Sequence, residues 1–169
     1  MTLLLLACSG GSNESPGPTA TAAPTPTTTQ GGLVIPTPTP NPTESVLIFL
    51  DALRAAGLPV GDYIQYDERT DPNALLGRPG GYLAKINFHD QRVKDKDTLN
   101  NYDMDGGGTV EIFASERDAK ARFDYISPLS TTPLFGQYVY YRGKVVLRVS
   151  HHLIPSEAAE YNNVLSAMQ

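Results

Sequence analysis

The stretch Tyr82–His89, with the sequence YLAKINFH, decides the fold of this chain. Tyr82 and every second residue after it are apolar or aromatic, whereas the residues between them include Lys85, Asn87 and His89. Successive side chains of a β-strand point to opposite faces of the sheet. The alternation therefore predicts a strand that packs one face on a core and exposes the other face to water.

Further strands are predicted on both sides of this segment. A short strand at 63–66 precedes it, and 110–112 repeats the two-residue period after it. The segments 137–141 and 144–149 flank the Arg142-Gly143 pair, which is the spacing of a hairpin with a two-residue turn. We therefore expect four to five strands.

The first helix is predicted to begin at a Thr43 cap and to end at Gly57. Between them, apolar residues recur at intervals of three and four and form one face of the helix. With Gly57 in a left-handed conformation, Leu58 can fold back on Leu53, as in a Schellman motif. This segment is therefore expected to lay one apolar face on the sheet.

Two more helices follow, one capped by Ser115 and one that begins near Pro155, and a single helical turn is expected from Asp71 to Leu76. The main elements have the order α-β-β-β-α-β-β-α. Because a long helix separates consecutive strands only once, we expect an α+β fold with a largely antiparallel sheet and the helices packed on one face. Residues 44–169 form this single small domain.

The segment before the domain has a different composition. Residues 12–43 hold eight of the 14 prolines and nine threonines, and Glu14 is their only charged residue. Such a stretch cannot bury enough apolar surface to fold, and proline favours extended polyproline II. Residues 9–43 are therefore predicted to be a disordered stalk.

Cys8 is the only cysteine of the chain, and it follows the run Leu3 to Ala7 directly. This pattern resembles the lipobox of bacterial lipoproteins, with Leu5 three positions before the cysteine and cleavage after Ala7. The resemblance implies that residues 1–8 are a signal peptide remnant and lipobox, and that Cys8 becomes the diacylated first residue of a protein anchored on the extracytoplasmic face of the cell membrane. The alternative is a remnant of an ordinary secretory signal, in which Cys8 has no role.

Charge and cysteine content restrict the possible partners. The chain has 18 acidic and 13 basic residues and a formal net charge of −5. A mildly acidic surface of mixed sign does not favour nucleic acid as a partner. Since the domain itself has no cysteine, its stability must come from packing without a disulfide.

Asn101, Asp103, Asp105 and Gly106 have the alternating oxygen ligands and the glycine of an EF-hand calcium loop. The second half of that motif is not met, because Glu111 stands at position eleven instead of twelve and a strand follows where a helix is required. A solvated loop between strands explains the same residues. They are weak metal candidates, and no cofactor is expected.

The glycine-rich segment 77–81 carries one guanidinium, Arg78, which can hold a phosphate or a carboxylate. It lacks the Lys and Ser/Thr of a P-loop, and a plain turn explains its glycines. The histidines are His89, His151 and His152. On a continuing strand the last two point to opposite faces, and no catalytic motif surrounds any of the three, so no catalytic residue is assigned.

The preferred binding surface is the polar face of the sheet. The chain has nine Tyr against five Phe and no Trp, and amphipathic rings are favoured at recognition surfaces. An ordinary solvated sheet face explains the tyrosines equally well. Together with the loop arginine, the candidate ligand-binding residues are Arg78, Lys85, Asn87, His89, Tyr138, Tyr140 and Arg148.

Two functions follow from this pattern. In the first, the domain is a non-catalytic module, tethered by lipid on Cys8, that binds a protein, a glycan or a small molecule at the cell envelope. In the second, it is a small envelope hydrolase or transferase with a site centred on His89 or His151. The first is preferred, because no motif of the sequence specifies a reaction.

Overall fold

The computed structural model describes residues 41–94, 102–132 and 136–168. In chain order the elements are α1 (Pro42–Ala55), β1 (Val60–Gln65), β2 (Tyr82–Asp90), β3 (Gly107–Phe113), α2 (Glu116–Ser130), β4 (Gln137–Arg142), β5 (Val145–Ser150) and α3 (Pro155–Ala167). A 3-10 turn at Met104–Gly106 leads into β3. The predicted α+β fold and the predicted order of helices and strands are confirmed.

The five strands form one sheet with the order β1-β2-β3-β5-β4, and every neighbouring pair is antiparallel. The strand that decided the fold, β2, pairs with β1 on one side and with β3 on the other. β3 is the middle strand of the five. In the chain, α2 and β4 lie between β3 and its neighbour β5. Side chains on the central strands are therefore enclosed by neighbours on both sides.

One face of the sheet carries the main core. Ile86 and Phe88 of β2 pack there with Val110 of β3 and Leu147 of β5. Helices α1 and α3 cover them with apolar side chains that are almost fully buried, among them Val46, Phe49, Leu50, Leu53, Ala158, Tyr161 and Leu165. This arrangement is the one that the apolar period of β2 predicts.

The second helix differs from the prediction, because α2 lies on the opposite face of the sheet. Val146, which alternates with Leu147 on β5, is completely buried against Ala119 of α2, and Phe123 packs with Val139 and with other side chains of the same cluster. The apolar side chains at this end of β4 and β5 would be exposed to water if α2 did not pack on them. The polar face is thus half covered by a helix instead of fully exposed.

A β-bulge also changes the position of Tyr82. Its partner on β3 is Phe113, whereas Ala84 pairs with Ile112, so the register shifts at Leu83. Tyr82 therefore leaves the face of Ala84 and contacts Phe113 edge-to-face, with 5.9 Å between the ring centres. The alternation in the sequence could not show this extra residue.

The first helix begins two residues before the predicted domain boundary. Asn41, and not Thr43, is its cap: the Asn41 side chain accepts from the Glu44 amide, and the Glu44 carboxylate accepts from the Asn41 amide. At the other end Gly57 has φ +84°, and the Leu58 amide donates to the Leu53 carbonyl. The predicted Schellman stop is confirmed.

The helical turn predicted from Asp71 to Leu76 is wrong. Residues 66–81 form a series of turns, in which Ala74 has φ +51° and Gly77 has φ +75°. The Asp71 carboxylate nevertheless accepts from the backbone amides of Leu75 and Leu76 within these turns. No described helix has the length and apolar character of a membrane span. Cys8, and residues 9–40 of the predicted stalk, lie outside the described residues.

Gly108 of β3 tests the close packing at the centre of the sheet. A Cβ at this position would lie 2.6 Å from the Arg148 carbonyl oxygen and 2.7 Å from Cζ of Phe88. We expect Gly108→Ala to lower the free energy of unfolding by about 1–3 kcal/mol, measured by urea denaturation, because backbone and core must both shift. The control is Gly61→Ala in β1, where the nearest atom is 3.7 Å away. Equal effects of the two substitutions would contradict the packing described.

Candidate functional site

Polar side chains occupy the middle of the sheet on the face opposite the main core. Lys85 on β2 pairs with Glu111 on β3, and Asn87 pairs with Thr109, which in turn pairs with Arg148 on β5. The side chains on β2 and β3 are buried, and none is more than 5% exposed. Since buried charges are costly without partners, each of these groups needs a contact within the protein.

Asp71 is the partner of Lys85. Lys85 Nζ donates to Asp71 Oδ1 at 2.9 Å, and the two side chains are 3% and 0% exposed. The Tyr82 hydroxyl donates to Oδ2 at 2.6 Å, and the amides of Leu75 and Leu76 donate to the same oxygen. One carboxylate thereby fixes the turns that follow β1 to the polar face.

Burial and hydrogen bonding act in opposite directions on this pair. Burial alone would raise the pKa of Asp71, but hydrogen bonds from Tyr82, Lys85 and a backbone amide outweigh it and hold that pKa well below its usual range. Desolvation lowers the pKa of Lys85, against the attraction of Asp71 and Glu111. The Lys85 ammonium also lies 4.6 Å from the centre of the Tyr66 ring, within cation–π distance.

Glu111 is completely buried and has two arginine neighbours. Arg122 of α2 donates from Nε and Nη2 to the two carboxylate oxygens at 3.0 and 3.1 Å. Nη1 of Arg148 lies 3.7 Å from Oε1 of Glu111, which is beyond hydrogen-bond distance. Nε of Arg148 donates instead to Gln137 at 2.7 Å. Arg122 is thus the hydrogen-bonded partner of Glu111, and Arg148 is a secondary neighbour.

Arg148 is the cation in excess in this group. Lys85 neutralises Asp71, and Arg122 neutralises Glu111. The Arg148 side chain is only 16% exposed. Burial lowers the pKa of Arg148, opposed by the charge of Glu111, but a guanidinium stays protonated in proteins. The polar face therefore holds one positive charge that no carboxylate of this group hydrogen-bonds.

Asn87 is held in one orientation by its neighbours. The Thr109 hydroxyl donates to Asn87 Oδ1 at 2.7 Å, and Asn87 Nδ2 donates to the Tyr102 carbonyl at 2.8 Å and to the Tyr66 hydroxyl at 3.2 Å. These contacts join β2 and β3 to the segment before the 3-10 turn. This rigid amide beside the half-buried Arg148 guanidinium forms a preorganised polar surface.

A cavity of about 430 Å³ opens over this surface. Its walls come from three segments outside the central strands, at 72–73, 103–105 and 136–137. Its floor consists of the polar side chains described above: Lys85, Asn87, Thr109 and Arg148. The volume is that of a site for a small molecule.

Acidic groups and a histidine lie on the walls of the cavity. Asp103 caps the 3-10 turn through the Met104 amide, at 2.8 Å. Oδ1 of Asp105 is a buried atom that accepts no hydrogen bond, and Nδ1 of His151 lies 3.7 Å from it. The Ser150 hydroxyl donates to the Asp105 carbonyl at 2.5 Å and so fixes the turn to the end of β5.

The structure brings together three of the predicted ligand-binding residues, Lys85, Asn87 and Arg148. Arg78 lies in the exposed turns after β1 and does not line this cavity. The ring of His89 stacks on Tyr102, with 4.6 Å between ring centres, and His89 lines a different cavity near the end of β2. The predicted polar face is thus divided between two surfaces.

Tyr138 and Tyr140 lie on the other face of the sheet. Both pack against the main core, and the Tyr138 hydroxyl donates to the Leu153 carbonyl at 3.2 Å. The tyrosines that do approach the polar group are Tyr66 and Tyr82, through the Lys85 ammonium. Tyr138 and Tyr140 are therefore on the opposite side of the sheet from Lys85 and Arg148, with which the sequence pattern grouped them.

Sequence reasoning did not select Asp71, Thr109 or Gln137 as site residues. The sequence pattern predicts Asp71 as a helix cap, and its pairing with Lys85 over 14 positions has no local signal. Thr109 could have been found, because its register opposite Asn87 follows once β2 and β3 are paired. Gln137 has no signal of this kind.

The weak metal candidates give no metal centre among the described residues. Asn101 lies outside them, and residues 41–94, 102–132 and 136–168 contain no group of three or more His, Cys, Asp or Glu side chains placed to hold an ion. The strand ends at Ser150, so His151 and His152 do not point apart: their ring centres are 4.2 Å from each other. The expectation of opposite faces is wrong because both residues lie in a turn.

Comparisons of the chain with protein-family models, with curated proteins and with solved structures return no match.

The ion pair beneath the cavity gives a stability prediction. We expect Asp71→Asn to lower the free energy of unfolding at neutral pH by about 3–5 kcal/mol, because Lys85 would be left buried without a counter-charge. Because the folded-state pKa of Asp71 is depressed, its stabilisation is present above the usual Asp pKa and is lost as the pH falls below it. Part of the acid sensitivity of the wild type should therefore be missing in Asp71→Asn, as measured by urea denaturation between pH 7 and pH 3.

A surface ion pair serves as the matched control. Asp51 lies 3.3 Å from Arg54 with a side chain that is 75% exposed, so Asp51→Asn should change stability by less than about 1 kcal/mol. Replacement of Lys85 by Met in the Asp71→Asn background should restore part of the loss, since the unpaired charge is then removed. A loss in Asp71→Asn no larger than in Asp51→Asn would show that the buried pair is not stabilising.

Proposed function

We propose that this chain is a lipoprotein of the cell envelope whose domain is a non-catalytic binding module, and that its ligand is a small molecule bound in the polar cavity over β2, β3 and β5. Lipid on Cys8 would attach the protein to the extracytoplasmic face of the membrane, and the proline-rich segment would separate the domain from that surface. The observation that carries the binding role is the Arg148 guanidinium, which is 16% exposed and donates to no carboxylate among the described residues, at the floor of a cavity of small-molecule size.

The cavity supports binding more than it supports catalysis. Thr109 is the hydroxyl of the floor, and it is fully buried and committed to Asn87. The Lys85 ammonium is held by Asp71 and desolvated among aromatic rings. These groups are fixed and satisfied, which suits recognition, whereas covalent catalysis needs a nucleophile that a base can reach.

A hydrolase is the second candidate, and one contact favours it. His151 lines the cavity, and its Nδ1 lies 3.7 Å from Asp105. A histidine base next to a carboxylate that orients it is part of the catalytic arrangement of many hydrolases. The distance is too long for a hydrogen bond, and the His151 side chain is 49% exposed. With no nucleophile held near it among the described residues, His151 could act only as a general base on water.

Metabolic labelling with a fatty-acid probe tests the anchor. In cells that process bacterial lipoproteins, the wild type should be labelled and recovered with membranes, and Cys8→Ala should lose both properties, because the thiol that carries the lipid is removed. Ser9→Ala is the matched control and should be labelled like the wild type. Equal labelling of Cys8→Ala and wild type would contradict lipid attachment at this residue.

Hydrolysis assays separate the two candidate functions. Chromogenic acetate, phosphate and glycoside substrates should be cleaved by the full chain no faster than in buffer alone, and His151→Gln should leave that rate unchanged. Cleavage above the buffer rate that falls at least tenfold in His151→Gln would overturn the non-catalytic function, since a general base contributes roughly 100-fold or more.

A further inference from the structure

We infer that the ligand of the polar cavity is a small zwitterion, whose negatively charged group binds Arg148 and whose amine donates to Asp105. This inference rests on the proposed binding function and specifies the ligand class of the same cavity. It follows from two groups of opposite charge that line one cavity and that each lack a full set of partners.

Arg148 is suited to a carboxylate. Its Nε is used by Gln137, and its Nη1 is too far from Glu111 for a hydrogen bond. Glu111 accepts two hydrogen bonds from Arg122 and none from Arg148. The terminal nitrogens of a guanidinium form a planar pair of donors that matches a carboxylate. The terminal nitrogens of Arg148 therefore have capacity for a ligand.

Asp105 is suited to a donor from the ligand. Its side chain is 35% exposed, so the carboxylate can meet a ligand in the cavity, and its buried Oδ1 accepts no hydrogen bond within the protein, which costs free energy. His151 Nδ1 lies 3.7 Å from it, which is too far for a hydrogen bond. The Ser150 hydroxyl fixes the Asp105 backbone to β5, two residues from Arg148. The acceptor and the guanidinium are therefore held by the same strand.

The acidic walls argue against a simple anion. A phosphate or a dicarboxylate seated on Arg148 would lie in a cavity whose walls include Asp103 and Asp105. Like charges in a partly desolvated site repel strongly. An amine on the same ligand converts that repulsion into attraction. The cavity volume of about 430 Å³ fits a molecule of the size of an amino acid or a short derivative.

Titration of the full chain with ω-amino acids tests the inference. Glycine, β-alanine, 4-aminobutanoate and 6-aminohexanoate are compared with acetate, ethylamine and inorganic phosphate, by following the side-chain resonances of Asn87 and Gln137 and the Arg148 Nε–H in ¹⁵N-labelled protein. One member of the series should bind about tenfold or more tightly than acetate or ethylamine, because it alone spans both groups. The best chain length gives the distance between them.

Variants assign the two contacts. Arg148→Met should weaken binding of the best zwitterion about tenfold or more, and Asp105→Asn should reduce its preference over acetate to about onefold. Arg78→Gln is the matched control, since this exposed arginine lies outside the cavity, and it should leave binding unchanged. Should Arg148→Met fail to fold, the shift of the Arg148 Nε–H resonance in the wild type decides the same point.

The outcomes distinguish the ligand class from the binding function. If only acetate, phosphate or ethylamine shifts the cavity resonances, the zwitterion is overturned and the cavity keeps its binding role. If zwitterions bind but depend on Arg78 and not on Arg148, the assignment of the contact is overturned. If none of the compounds shifts these resonances at millimolar concentration, the zwitterion inference is overturned too, and a neutral sugar series then tests the binding function by itself.

Discussion

The salt bridge between Lys85 and Asp71 is the constraint on which the polar face depends. The Lys85 side chain is only 3% exposed, so its charge needs a partner inside the protein, and Asp71 supplies it. Asp71 arrives on a segment without a helix or strand of its own, and the hydrogen bonds of that carboxylate give the segment its shape. The ion pair thus organises a loop as well as neutralising a charge.

The same requirement explains the position of α2 and of the cavity. Glu111 demands a cation, and Arg122 provides it only if α2 lies on the polar face. The apolar contacts of Phe123 then cover one end of that face, at the turn between β4 and β5. Towards the other end of β5 the helix no longer covers the sheet, and the cavity opens there over Arg148. The cavity is therefore left where the helix and the loop that cover the polar face end.

The sequence pattern predicted the parts of this fold that depend on local periodicity, and it did not predict those that depend on long-range pairing. The period of β2 placed Lys85 and Asn87 on one face correctly, because a strand alternates whatever its neighbours are. The bulge after Tyr82 and the salt bridge to Asp71 arise from contacts between segments that are distant in the chain, and no period records them. The site was found in part for the same reason: its strand residues follow a pattern, but its loop residues do not.

A floor of this kind favours ligand binding through rigidity. Asn87 and Lys85 are held by hydrogen bonds that do not involve a ligand, so binding would require little loss of side-chain entropy. Arg148 is different, because Gln137 fixes one edge of its guanidinium and leaves the other edge for a partner. Polar groups that lack some of their hydrogen bonds destabilise a folded domain. This domain has no cysteine, so no disulfide offsets that cost. Retaining Arg148 on the floor and Asp105 on the wall of one cavity is understandable if a ligand completes both, and it is hard to explain if the cavity serves stability alone.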